Sequence, residues 1–144
     1  MPINFEKENM GNRILKKFGL KSRTSDLKEW EKLVKMIQNS PLPVEIGIVG
    51  KYFESGHFTL MDSYISGIEA IKHAAFFFHR KAKITWISSE DFEKKSLPTG
   101  RQAKNLSTLK KFDGIIVPGG FGNRGVEGKI KVIEYCRKNK IPFL

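Results

Sequence analysis

The chain has 144 residues, 40% of them apolar and 11% aromatic, with a formal net charge of +11. This length corresponds to about one domain, and the composition is that of a globular protein, which excludes a disordered chain. The unbroken apolar runs are only a few residues long, whereas a membrane-spanning helix needs about 20, so we expect no membrane segment.

The excess of basic residues does not by itself predict binding to a nucleic acid. Residues 1–43 hold 9 of the 26 basic and 5 of the 15 acidic side chains, so the charge is spread along the chain. We interpret it as a solvated basic surface and expect no nucleic-acid polymer as partner; contact with the phosphates of a nucleotide is the alternative. The single cysteine, Cys136, and a charged N-terminus without a signal peptide favour the cytoplasm.

Residues 1–43 are predicted to form a linker that contains one helix. Asp26 and Glu29 have the spacing of an N-terminal cap. Apolar residues recur at helical spacing at Leu27, Trp30, Leu33, Val34 and Ile37. Because Pro41 and Pro43 cannot continue a helix, we expect a boundary between this linker and a domain that covers residues 44–144.

From residue 44 onward, segments typical of strands alternate with segments typical of helices. Strands are predicted at 44–49, 82–87 and 113–117, and a fourth begins at 141. The first helix has its apolar stripe at Met61, Ile65, Ile68, Ile71, Ala75 and Phe78. The last helix has its stripe at Val126, Ile130, Ile133 and Cys136. This alternation predicts an α/β fold with a parallel sheet and right-handed crossovers.

The third strand leads into PGGFGNRGVEGK (118–129), which contains five glycines. Glycine weakens helices and strands, so the cluster indicates positive φ angles or close approach of the backbone to another group. A tight turn without a ligand is one interpretation. A dinucleotide site is another, because Gly120 to Gly125 match G-x-G-x-x-G, although this fingerprint belongs to the first strand-helix turn. The third is an oxyanion hole, in which backbone N–H groups stabilise the negative oxygen formed during acyl transfer.

Five segments carry a resemblance to a known family. They are, in order, VEIGIVGKY, DSYISGIEAIKHA, ITWISSEDFE, DGIIVPGGFGNRGVEGKI and RKNKIPFL. In this order and spacing they resemble the glutaminase domain of the CTP synthase family of class I glutamine amidotransferases. The resemblance covers residues 44–144, and the helix around Trp30 is similar to the segment that joins the two domains of the family. It implies a flavodoxin-like sheet with helices on both faces.

The resemblance also implies a reaction. In the family, a cysteine thiolate attacks the side-chain amide of glutamine, and the released ammonia passes to a synthetase domain that uses ATP to convert UTP to CTP. By position, Gly120 would supply an oxyanion-hole N–H, and Gly119 and Phe121 would shape the glutamine pocket. The implied partners are glutamine, the synthetase domain with ATP and Mg²⁺, and other subunits of a homotetramer.

The resemblance places the catalytic nucleophile outside this sequence. The family's G-x-C-x-G-x-Q motif follows the strand that begins at Ile141, so we expect an incomplete domain that is inactive alone. GTP is the implied activator, although Ile65 stands where several members have a lysine. LPTGRQAK (97–104) is interpreted as an added, exposed loop. The alternative function is a non-catalytic α/β module that binds a nucleotide or a partner.

No other residues form a convincing catalytic or metal site. Cys136 lies in the middle of a predicted helix and is interpreted as a buried structural cysteine. Structural or solvent-exposed positions are expected for His57, His73 and His79. The sequence contains no metal-ligand spacing, and Ser88-Ser89 lacks the glycine context of a serine nucleophile.

Overall fold

A computed structural model describes residues 2–23, 26–51, 54–55, 58–59, 64–93, 105–120 and 122–144. The chain divides into two compact units, Met1–Pro41 and Leu42–Leu144. Among the described residues, no helix is long and apolar enough to span a membrane. The loop at 97–104, Met61, His57 and Phe121, which the sequence analysis singled out, lie outside the described residues.

The first unit contains three helices, where the sequence predicts only one. They are α1 (Pro2–Lys7), α2 (Met10–Lys17) and α3 (Lys28–Gln38). The predicted cap is present in part, because the backbone N–H of Lys28 donates to the Asp26 carboxylate at 3.0 Å. None of the three helices contains a buried residue. The short amphipathic segments before α3 do form helices, although neither is long enough to give a clear periodic signal.

The second unit is built on a parallel sheet whose central strand is β1 (Leu42–Gly50). A separate two-stranded antiparallel sheet of β2 (Glu54–Ser55) and β3 (Phe58–Thr59) follows in sequence. Strand β4 (Arg80–Ser88) pairs with β1 on one side, and β5 (Gly114–Ile116) pairs with it on the other.

The predicted fourth parallel strand is confirmed at the outer side of β5. Phe143 forms a parallel bridge with Ile115, and the Leu144 N–H donates to the Ile115 carbonyl at 3.0 Å. The strand order therefore places the first strand between the second and the third, with the fourth beyond the third. This is the flavodoxin-like order that the resemblance implies.

Helix α4 (Ile65–Phe77) packs on one face of the sheet and buries Ile68 and Ala75. It borders an apolar cavity of about 310 Å³ whose lining includes Val44, Ile46, Ile71, Ala74 and Ala75. The predicted stripe is wrong at both described ends, because Ile65 and Phe78 are 54% and 69% exposed. Ile65 is the first residue of the helix, and Phe78, which follows its last turn, lines the cavity but remains largely exposed.

Helix α5 (Val126–Lys138) packs on the opposite face, since successive β1 side chains point to opposite faces and Val49 belongs to its core. That core consists of Val49, Ile87, Phe92, Leu109, Phe112, Ile115, Val132 and Cys136. The predicted stripe of α5 is wrong at Ile130 and Ile133, which are 51% and 37% exposed, whereas Val126 is half-buried and Cys136 is buried. The buried face instead consists of Gly128, Lys129, Val132 and Cys136.

Candidate functional site

Three parallel strands end at one edge of the sheet and bring three segments together there. Strand β1 ends at Gly50 and continues into Lys51, and β4 ends at Ser88 and continues into Ser89. Strand β5 is followed by the glycine loop, which we define as residues 118–125. In open α/β folds ligands bind outside this carboxyl edge, so the loop lies where a ligand site is expected.

The outer part of the glycine loop is open. Gly119 and Gly120 are exposed, and a Cβ atom added to Gly119 would meet nothing within 4 Å. Gly122 has a φ angle of +77°, which side-chain-bearing residues rarely adopt. The main chain of Gly119 and Gly120 is thus accessible to a ligand. No neighbouring atom requires that residue 119 be a glycine.

The inner part of the loop is tightly packed. Gly125, the N-cap residue of α5, has a φ angle of +75°. A Cβ there would lie 2.3 Å from the Ser89 Oγ. A Cβ on Gly128 would lie 1.8 Å from the Ser89 carbonyl oxygen, which is backbone and cannot move aside. These two glycines therefore allow α5 to approach the end of β4. Ser89 is fully buried, and its Oγ has no hydrogen-bond partner within the described part of the chain.

Two lysines that the sequence pattern did not mark as site residues hold the loop by hydrogen bonds to its carbonyl groups. Lys51 Nζ donates to the Gly122 carbonyl and Lys129 Nζ donates to the Pro118 carbonyl, each at 2.5 Å. Both lysines are buried, at 7% and 9% exposure. The signal for Lys51 in the sequence was its position directly after a buried strand. The signal for Lys129 was its place on the buried face of α5, which can be recognised only once the orientation of the helix is known.

The surroundings of Lys129 disfavour its charge. Burial lowers the pKa of its ammonium, and the nearby positive charge of Lys51 lowers it further. On the exposed side of the loop, Arg124 Nε donates to Glu90 Oε1 at 2.5 Å, which connects the loop to the turn after β4. Such exposed ion pairs contribute little to stability. The hydrogen bonds from the two buried lysines therefore say more about what holds the loop than this exposed ion pair does.

The lowered pKa of Lys129 predicts a specific pH dependence of stability. The Lys129 ammonium loses its proton at a lower pH in the folded protein than in the unfolded chain, where the pKa of a lysine is about 10.4. Between those two pKa values the unfolded state binds more protons, so this lysine makes the fold more stable as the pH rises. We expect the melting temperature of the unsubstituted chain, minus that of Lys129→Met, to increase from about pH 7 to about pH 10.

Lys138→Met is the control in this experiment, because it removes one positive charge from the exposed face of the same helix. Thermal melting followed by circular dichroism at several pH values measures the difference. A difference that stays flat or decreases over this range would contradict the lowered pKa.

The remaining candidates that the structure describes do not form a second site. Cys136 is fully buried, and burial raises the pKa of its thiol, as expected for a structural cysteine. His73 and His79 are exposed, and His79 precedes β4 at the opposite edge of the sheet. Across the residues that the structure describes, no cluster of His, Cys, Asp or Glu could hold a metal ion.

Comparisons with known proteins agree with this architecture. The family model described as "Glutamine amidotransferase class-I" matches residues 59–144. Among curated proteins, a CTP synthase from Pyrococcus abyssi is 47% identical over 147 residues, and one from Carboxydothermus hydrogenoformans is 44% identical over 144 residues. Both matches cover 100% of this chain but 24% of the relative, so the chain spans about a quarter of their length.

A solved structure extends the comparison to three dimensions. It is described as the Trypanosoma brucei CTPS glutaminase domain with bound acivicin, and it is 36% identical to this chain. The superposition covers 69% of this chain and 34% of that chain, with a TM-score of 0.55. The α/β arrangement predicted from sequence is therefore confirmed both by the fold and by its likeness to a glutaminase domain.

Proposed function

Since the chain belongs to the class-I glutamine amidotransferase family, we propose that its glycine loop binds glutamine in the glutaminase half-reaction of a CTP synthase. Gly120 supplies a backbone N–H to the oxyanion that forms when a thiolate attacks the side-chain amide. Gly119 and Phe121 shape the pocket around that amide. Attack on the amide carbon creates a tetrahedral oxyanion, ammonia leaves, and water then releases glutamate from the acyl-enzyme.

The observation that carries this proposal is the exposed Gly119–Gly120 pair at the carboxyl edge of the sheet. A substrate carbonyl must come within about 3 Å of the donor nitrogen, and a side chain on the donor residue obstructs that approach. At Gly119, the residue before the proposed donor, an added Cβ would meet nothing within 4 Å, so packing does not explain why a glycine stands there. Close approach of a ligand does explain it.

The rest of the reaction belongs to parts of a longer enzyme. Residues 1–43 act as the linker to a synthetase domain, and residues 44–144 form part of the glutaminase domain. The synthetase domain uses ATP and Mg²⁺ to activate UTP, which the ammonia converts to CTP. We also propose that GTP is the activator and that the enzyme is a cytoplasmic homotetramer. The name CTP synthase, which the curated relatives carry, supports the assignment of the chain to such an enzyme.

The isolated chain is expected to release no glutamate from glutamine above a heat-treated control. Its single cysteine, Cys136, is buried and has a raised pKa, whereas the reaction needs an accessible thiolate. A coupled glutamate assay measures this. Glutamate release that Cys136→Ser abolishes would contradict the assignment of Cys136 as structural.

The function itself is tested in a chimera, in which this chain replaces the matching segment of the Pyrococcus abyssi relative. We expect CTP formation from both glutamine and free ammonia. The ammonia reaction is the control for folding and assembly, because it does not need the glutaminase site. A chimera that uses ammonia but not glutamine would contradict the proposal and would favour a non-catalytic binding module.

A further inference from the structure

The glycine loop is fastened at two carbonyls that flank its open part. The Pro118 carbonyl accepts from Lys129 on α5, and the Gly122 carbonyl accepts from Lys51 at the end of β1. Only residues 119–121 lie between these two carbonyl-bearing residues. The supports belong to different elements of the same packed unit, so the loop is held from two directions.

Fixing a carbonyl also fixes the N–H of the next residue. A peptide unit is planar and trans, so its C=O and N–H point in opposite directions, and the described residues contain no cis peptide bond. The Pro118 carbonyl points at the buried Lys129, and the Gly119 N–H in the same plane therefore points away from that lysine. Lys129 thus fixes the peptide that directly precedes the Gly119–Gly120 peptide, whose N–H is the proposed oxyanion donor.

Packing alone does not account for a lysine at position 129. Burying an ammonium is costly, and an apolar side chain of similar length often packs as well or better. Here the two ammonium groups are also close enough for the charge of Lys51 to disfavour that of Lys129. Their hydrogen bonds to Pro118 and Gly122 are what an apolar side chain could not replace.

We propose that Lys51 and Lys129 are positioning residues: by fixing the Pro118 and Gly122 carbonyls on either side of Gly120, they hold the Gly120 N–H in the direction that the oxyanion requires. Neither lysine touches the substrate in this role. The inference rests on the proposed function, because it assigns to these lysines the orientation of the same oxyanion site. Oxyanion stabilisation depends on donors that are fixed before the reaction, so a loop released at one end is a poorer catalyst.

The test uses the chimera with Lys51→Met, Lys129→Met, Lys129→Gln and, as control, Lys138→Met. Turnover with glutamine is divided by turnover with ammonia, and the KM for glutamine and the melting temperature are measured for each variant. A displacement of about 1 Å in a site can cost about 100-fold in rate. We expect each Met variant to lower the ratio by about 10- to 100-fold, mostly through kcat and not through KM.

Lys129→Gln keeps an N–H donor and is expected to retain more of the ratio than Lys129→Met. Lys138→Met removes an exposed lysine that pairs with Glu134, and it is expected to keep the ratio of the unsubstituted chimera. A ratio that falls only together with the melting temperature, with no recovery in Lys129→Gln, would show a purely structural role and overturn the proposal.

Gly120→Ala in the same chimera separates the two possible failures. If Gly120→Ala lowers the ratio while Lys51→Met and Lys129→Met both keep it, the positioning role is refuted and the proposed function stands. If Gly120→Ala also leaves the ratio unchanged, the loop does not serve glutamine hydrolysis, and both the proposed function and the role of the lysines are refuted.

Discussion

Gly120→Ala in the chimera is expected to lower glutamine-dependent CTP formation by roughly 100- to 1000-fold, the loss seen when one oxyanion donor is removed from an acyl-transfer site. Gly120 is exposed at the carboxyl edge, where the substrate carbonyl has to contact the main chain. A methyl group there displaces the carbonyl from the N–H donor. Because ammonia bypasses glutamine hydrolysis, ammonia-dependent CTP formation should fall far less.

Steady-state rates with glutamine and with ammonia measure both effects in one preparation. Gly11→Ala is the control glycine substitution, since a Cβ on Gly11 in α2 would meet nothing within 4 Å. It should change the ratio of the two rates little. Equal loss of both activities in Gly120→Ala would indicate a folding defect and would count against an oxyanion role.

Gly128→Ala is expected to destabilise the fold strongly, although the same change usually favours a helix. Alanine in place of an interior helical glycine gains about 0.5–1 kcal/mol. At Gly128, however, the new Cβ would lie 1.8 Å from the Ser89 carbonyl oxygen, so α5 or the end of β4 must shift. Overpacking costs about 1–3 kcal/mol and sometimes more. With the cost at the upper end of this range, we expect a net loss of about 2 kcal/mol, compared with a net stability of about 5–15 kcal/mol for a typical domain.

Gly67→Ala is the matched control for this prediction. Gly67 and Gly128 are each the third residue of a 13-residue helix, but a Cβ on Gly67 would meet nothing within 4 Å. The two substitutions should therefore differ in sign. Thermal unfolding of the 144-residue chain should show a decrease of about 6 °C for Gly128→Ala and a small increase for Gly67→Ala. A Gly128→Ala protein that melts at or above the unsubstituted chain would contradict the close approach of α5 to Ser89.

The sequence by itself determined the order and type of the main elements in the second unit. Short β-branched runs predicted three paired strands and the fourth at its correct place, because parallel strands buried on both faces require continuous apolar residues. The five glycines marked the loop after β5 as unusual, since glycine weakens helices and strands and is used where the backbone needs a positive φ angle or must approach another group closely. The family resemblance then supplied the expected strand order, which the structure confirms.

The sequence determined the faces of the helices less well. In α5 the apolar pattern favoured Ile130 and Ile133, yet both are exposed, while Gly128 and Lys129 are buried. Periodicity assigns the buried face from hydrophobicity alone. It cannot show that a glycine faces inward to permit close packing, or that a lysine does so to reach a carbonyl.

Only the tertiary structure showed which glycines are needed for packing and which are open to a ligand, and which side chains hold the loop. Gly125 and Gly128 allow α5 to approach Ser89, whereas Gly119 and Gly120 remain open at the edge of the sheet. Lys51 lies some 70 residues before the loop that it supports, and their hydrogen bond joins residues 71 positions apart. Contacts of that kind depend on how β1, β5 and α5 are brought together, and local sequence carries no record of them because the two partners meet only after the sheet has formed.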